Sequence, residues 1–173
     1  MKIVIVDDDI FVSGALTTIL EASGKVTVAA SGTDGKEAAE LYKIHQPDVL
    51  LMDIRMKEKS GLDASAEILE EFPDAKILLL TTFSDDEYIV KALKLGAKGY
   101  LLKQDYASIL PALEAVCSGQ TFLAQKSCPE FRSLFNPVLP SITKIMISAA
   151  GSLKLSVLLQ TGSAIRKSPH SFF

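Results

Sequence analysis

A doubly wound α/β domain built on a five-stranded parallel sheet is the fold class this sequence predicts. Three observations predict it. Five short aliphatic runs recur along residues 2–102, helical stretches with an apolar face separate them, and acids, a hydroxyl and a lysine gather where the runs end.

The first run is Ile3-Val4-Ile5-Val6, continuous rather than alternating, as in a strand buried on both faces. A helix follows, with Phe11, Ala15, Ile19 and Leu20 expected on its inner face and Gly24 as its stop. The second strand is expected over 25–30. Ser31-Gly32-Thr33-Asp34-Gly35 then turns the chain into a helix carrying Ala38, Ala39, Leu41 and Tyr42. Pro47 precedes the third strand, 48–53. Gly61 opens a helix with Leu62, Ile68, Leu69 and Phe72 that ends at Pro73. The fourth strand is 76–81. Ser84-Asp85-Asp86-Glu87 reads as a capping box, in which serine and glutamate satisfy free backbone donors, and Gly96 as the left-handed stop of that helix. The fifth strand is 98–102. Asp105 is expected to cap a last helix containing Leu110, Leu113 and Val116, with Pro111 a point of kinking or late start.

Composition supports a globular chain: 48% of the 173 residues are hydrophobic and 23% charged. Three aspartates directly after the first run argue against a secretory leader. Cys117 and Cys128 lack the spacing of a disulfide framework or zinc site and read as reduced cytoplasmic thiols. The net charge of −3 is uneven. Residues 1–128 carry 20 acids against 13 bases, and residues 129–173 carry Glu130 against Arg132, Lys144, Lys154, Arg166 and Lys167. The acidic front part has no nucleic-acid footprint. The shift marks a boundary, predicting a domain over 1–120 and a linker with an irregular tail over 121–173.

Doubly wound sheets bind ligands at the carboxyl ends of their strands. Here those ends carry Asp7-Asp8-Asp9, Asp53, Thr81-Thr82 and Lys103. Crowded carboxylates need a cation to stay ionised together, and all-oxygen ligation suits Mg²⁺. A carboxylate can attack phosphorus to give an acyl phosphate, while a metal and a lysine neutralise the transferring group. Asp9 also has a plainer reading as a helix cap, Thr82 as a turn residue, and Lys103 as a solvated charge.

The segments Val4-Ile5-Val6-Asp7-Asp8, Asp48-Val49-Leu50-Leu51-Met52-Asp53-Ile54-Arg55-Met56, Leu80-Thr81-Thr82-Phe83 and Gly96-Ala97-Lys98-Gly99-Tyr100-Leu101-Leu102-Lys103 resemble the receiver domains of two-component response regulators, in the style of the NarL/LuxR subfamily. The resemblance covers residues 1 to about 120 and implies a flavodoxin-like (βα)5 fold. It implies Asp53 as phosphoacceptor from a sensor histidine kinase. Asp7, Asp8, Asp53 and the backbone carbonyl of Arg55 would hold Mg²⁺. Thr81 and Lys103 would contact phosphoryl oxygens, and Tyr100 would turn inward as Thr81 moves. The resemblance further implies a kinase-facing first helix near Ile10-Phe11, and a homodimer through the fourth helix, fifth strand and fifth helix. Two positions depart from the usual pattern: Lys57-Glu58-Lys59-Ser60 replaces a proline after Met56, suggesting a looser loop, and Gln104 follows Lys103.

NarL-like regulators continue into a helix-turn-helix, and none is readable in frame here. Residues 141–159 are apolar but interrupted by Lys144 and Lys154, a poor membrane span. Shifted by one frame, with permitted codons, residues 147–169 can encode LSGRKFEIISAIADGLSNKEIA, similar to the first half of a LuxR-type helix-turn-helix. The expectation is a frameshifted transcription regulator whose DNA binding is lost. The other reading is a stand-alone receiver acting by protein contacts or as a phosphoryl shuttle. A haloacid-dehalogenase-like phosphatase would carry a second aspartate two residues after its nucleophile, where Arg55 stands.

Overall fold

The computed structural model describes residues 1–82 and 86–123. Strands and helices alternate: β1 (Lys2–Val6), α1 (Ile10–Ala22), β2 (Thr27–Gly32), α2 (Gly35–His45), β3 (Val49–Asp53), α3 (Gly61–Glu71), β4 (Ile77–Thr81), α4 (Asp86–Leu95), β5 (Gly99–Leu102), α5 (Tyr106–Cys117) and β6 (Phe122–Leu123). The strands form one parallel sheet in the order β2-β1-β3-β4-β5-β6. The order reverses at β1, so the crevice at the carboxyl ends of β1 and β3 is the expected ligand position.

The five predicted strands are present, and the sheet gains a sixth. Phe122 N–H donates to the Lys98 carbonyl at 2.9 Å, laying two residues along β5. Two residues carry no readable period, which is why the sequence did not announce them. β2 lies two residues later than expected, because its pairing with β1 slips between Ile3 and Val4 and continues until Asp7 N–H meets the Gly32 carbonyl at 3.1 Å.

Strand side chains alternate between two cores. Val4, Val6, Leu50, Met52, Ile77, Leu79 and Tyr100 face α2, α3 and α4, whose Ala38, Tyr42, Leu62, Ile68, Ile89 and Ala92 complete that layer. Ile3, Ile5, Val49, Leu51, Leu78, Leu80 and Leu101 face α1 and α5, with Leu16, Leu20, Ile109, Leu113 and Val116. Burying a Leu or Ile side chain stabilises by about 1.5–3 kcal/mol, so these two layers dominate the fold.

The inner face of α1 differs from expectation. Ser13, Leu16 and Leu20 are buried, while Phe11 is 82% and Ile19 49% exposed. The apolar arc of this helix is broad, from Phe11 round to Leu20, and the buried stripe lies at its Leu16–Leu20 edge, which the period alone does not choose. α5 begins at Tyr106 and runs through Pro111, so the late start does not occur. Asp105 stands at the cap position without a side-chain cap bond; its carbonyl instead accepts from Ser108 N–H at 3.0 Å. Gly96, at φ +101°, ends α4 as expected. Ser84 and Asp85 of the expected capping box lie outside the described residues, as do the tail from 124 onward and its shifted-frame reading. No helix among the described residues is long and apolar enough to cross a membrane.

Candidate functional site

The period of two that builds the cores also builds the site. Asp53 follows Val49 and Leu51 in parity, Lys103 follows Leu101, and Asp7 follows Ile3 and Ile5, so all three continue the α1/α5 side of their strands. At the carboxyl edge they meet. Lys103 Nζ lies 2.8 Å from Asp53 Oδ2 and 2.7 Å from Asp7 Oδ2. Asp7 is 1% and Asp53 4% exposed. Carboxylate oxygens of Asp7, the half-buried Asp8 and Asp53 lie within 4.8 Å of one another.

Burial pushes the Asp53 carboxyl above its ordinary range. The Lys103 hydrogen bond and charge oppose this, the Asp7 charge adds to it, and the Arg55 backbone N–H lowers it slightly. Burial alone would depress the Lys103 ammonium, but the two carboxylates of Asp53 and Asp7 beside it outweigh that and raise it. One ammonium thus compensates two buried carboxylates. Asp7 Oδ2 has no hydrogen bond of good geometry even so; Lys103 is near enough to attract it but directs its bond to Asp53. A buried oxygen left this way, inside a set of hard oxygen donors, fits a small divalent cation such as Mg²⁺.

Asp9 takes the plainer of its two readings. Its Oδ1 accepts from Phe11 N–H at 2.9 Å and Val12 N–H at 3.3 Å, capping α1, while its own N–H donates to Asp7 Oδ1 at 2.9 Å. Thr81, 4% exposed, ends β4, and its carbonyl accepts from Lys103 N–H at 2.7 Å. Leu79 pairs in register with Tyr100, and Thr81 lies two residues beyond Leu79, so Thr81 and Tyr100 share the α4 side of the sheet. Tyr100 is 1% exposed, with its ring inside. Thr82 is exposed, and its carbonyl accepts from Gln104 Nε2 at 3.2 Å.

Sequence reasoning missed the supports. A Cβ on Gly61 would stand 2.1 Å from the Asp53 carbonyl oxygen, so only glycine lets α3 start against the backbone of Asp53. The Arg55 guanidinium lies 5.3 Å over the Tyr88 ring, joining the loop after β3 to α4. A glycine opening a helix was visible in the sequence; its close approach to Asp53 was not.

The profile of the response regulator receiver domain matches residues 3–114. The oxygen regulatory protein NreC of Staphylococcus epidermidis is 43% identical over 128 residues, which is 73% of this chain and 59% of NreC. The chain therefore spans about three-fifths of this relative's length. The receiver domain of the putative response regulator NarL from Mycobacterium tuberculosis is 31% identical with a TM-score of 0.65, over 68% of this chain and 96% of that one. The CheX–CheY–BeF3–Mg²⁺ complex from Borrelia burgdorferi aligns with a TM-score of 0.64 at 28% identity, over 67% of this chain and 88% of the other. The chain belongs to the response regulator receiver domain family, with its relatives in the NarL/LuxR branch of two-component regulators.

Proposed function

We propose that Asp53 accepts a phosphoryl group from the phosphohistidine of a sensor histidine kinase in the cytoplasm. The observation that carries this is the Lys103 ammonium held between Asp53 and Asp7 at the carboxyl edge of the sheet. An Asp53 carboxylate oxygen bonds to phosphorus as the P–N bond of the phosphohistidine breaks. The departing imidazole keeps the electron pair and takes up a proton. Asp7, Asp8, Asp53 and the Arg55 carbonyl would hold Mg²⁺, which when bound would supply charge neutralisation to the transferring group. The CheY complex, which contains BeF3 and Mg²⁺, supports Mg²⁺ as the cation. Lys103 stays with the new phosphoryl oxygens and Thr81 donates its hydroxyl to one of them. That movement favours the inward Tyr100, whose ring shares the side of the sheet on which Thr81 stands.

Such a switch needs differential binding energy; moving a 1:99 equilibrium to 99:1 takes about 5.5 kcal/mol. The original output is transcriptional control, through a receiver over 1–120, and 121–173 is a linker and tail in which a frameshift has removed DNA binding; the alternative output of the receiver alone is protein contact or phosphoryl shuttling. Exposed Ile10 and Phe11 at the start of α1 form the kinase-facing surface, and the α4–β5–α5 face the homodimer surface. The chain is a phosphoacceptor rather than a turnover enzyme, with at most Mg²⁺-dependent self-phosphorylation and hydrolysis of its own acyl phosphate.

Acetyl phosphate with Mg²⁺ should label the protein once, at Asp53, and Asp53→Asn should abolish the mass shift. Undiminished labelling of that variant would sink the assignment.

A further inference from the structure

The loop from Asp53 into α3 is charged where the family pattern has proline: Lys57-Glu58-Lys59-Ser60. The sequence suggests a loose segment, yet three contacts hold it. Lys36 Nζ, in the first turn of α2, bonds Glu58 Oε2 at 2.9 Å. Lys59 Nζ pairs with Glu67 of α3. Gly35 packs so closely that a Cβ there would stand 2.6 Å from the Lys59 carbonyl oxygen and 3.0 Å from its Cβ and Cγ. The next residue, Ser60, caps α3 through Asp63 N–H at 3.2 Å. Gly61 N–H then donates to the Ile54 carbonyl at 2.9 Å. The loop therefore begins and ends on the backbone beside Asp53, and a displaced Lys59 would pull on Ile54, the neighbour of Arg55, through only Ser60 and Gly61.

We propose that Lys36, Glu58, Lys59 and Glu67 form an electrostatic clamp, seated on Gly35, that replaces the rigidity of a proline and positions the Arg55 backbone for Mg²⁺ and phosphoryl binding. The inference rests on the reading of Asp53 given above. These are positioning residues: none touches the carboxylate cluster. They act by reducing the number of loop conformations that cation binding must otherwise freeze. Exposed ion pairs are individually weak, so removing one arm should change affinity by about two- to fivefold. Salt screens such pairs, so the clamp should loosen as ionic strength rises.

The test uses the full chain and the variants Lys36→Glu, Glu58→Lys, and both together. Two quantities are read: hydrogen exchange of residues 56–61 in metal-free protein, and the Mg²⁺ dissociation constant by calorimetry. Each single reversal should speed loop exchange and weaken Mg²⁺ binding by about two- to fivefold. The double reversal restores the pair with opposite polarity and should recover both. Gly35→Ala, which leaves every charge in place, should loosen the loop by displacing Lys59. Unchanged exchange and unchanged Mg²⁺ affinity in the single reversals would overturn the clamp. So would a double reversal no better than the singles. Failure of acetyl phosphate to label wild-type Asp53 would instead overturn the phosphoacceptor reading, and the metal-free exchange data would still decide the clamp.

Discussion

Asp53 is a residue whose placement costs stability until something binds it. Its carboxyl titrates above the ordinary 3.8, chiefly because it is buried. A carboxyl raised in the fold binds its proton more tightly there than in the unfolded chain. Stability therefore falls as pH rises from about the ordinary value through the raised one, and the full cost is present only above the raised value. Lys103 works the other way. Its raised ammonium contributes stability that is fully present below the ordinary 10.5 and lost as pH rises through the raised value. Asp53→Asn removes the charge but keeps the size, leaving Lys103 with Asp7 alone. Metal-free Asp53→Asn should be more stable than wild type at pH 7, seen as a higher Tm. The gain should shrink toward pH 4. Calorimetry in EDTA across that range checks both parts, and an Asn variant less stable than wild type at pH 7 would mean that the Lys103 pair outweighs burial. Gly61→Ala belongs to the same scale. Its Cβ would overlap the Asp53 carbonyl, so at least about 2–3 kcal/mol should be lost together with acetyl phosphate labelling, measured by urea titration and intact mass.

At the scale of elements, what was legible followed local rules. Strand runs, glycine stops and the polar residues just past each strand are all set by a few neighbouring positions, so Asp7, Asp53, Thr81 and Lys103 could be picked out before the fold was known. What was hidden depended on tertiary approach. The buried stripe of α1 could not be chosen within its broad apolar arc, and the meeting of Gly35 with Lys59 joins segments far apart in sequence. β6 is the plainest instance. Leu123 pairs in register with Tyr100 and packs against the same core, while Phe122 packs against the opposite one. Gly99 makes this edge accessible, since a Cβ there would meet the Phe122 carbonyl at 2.9 Å and Leu78 Cδ1 at 2.5 Å. Phe122→Pro deletes the N–H that reaches the Lys98 carbonyl and should detach β6 at a cost of about 1 kcal/mol. Hydrogen exchange of the β5 amides that face β6 should speed up while β1, β3 and β4 stay protected. Unchanged exchange along that edge would mean that packing of the Phe122 and Leu123 side chains, rather than the ladder, holds the strand.

For the whole molecule, the two apolar layers and the charged edge pull in opposite directions, and a cation bound at that edge would offset the repulsion. A ligand that binds only the folded state stabilises it by RT ln(1 + [L]/Kd), about 2.7 kcal/mol at a hundredfold excess over Kd. The size of that increment should depend on which charges remain at the edge. In wild type, Lys103 already compensates part of the acidic cluster, so Mg²⁺ should raise Tm by several degrees. Lys103→Ala leaves Asp7 and Asp53 buried and mutually repelling, so the metal-free protein should melt lower while Mg²⁺ recovers more than it adds to wild type. Asp53→Asn should begin higher and gain least, having lost a ligand. The ordering Lys103→Ala, then wild type, then Asp53→Asn in Mg²⁺-induced Tm shift is specific to a cation seated among Asp7, Asp8 and Asp53. An ion held loosely by the general acidity of the domain would shift all three proteins alike, and equal shifts at matched Mg²⁺ would rule the seated cation out. Thermal unfolding of the three proteins over a Mg²⁺ series, at constant ionic strength so that screening of surface pairs does not enter, separates the two cases.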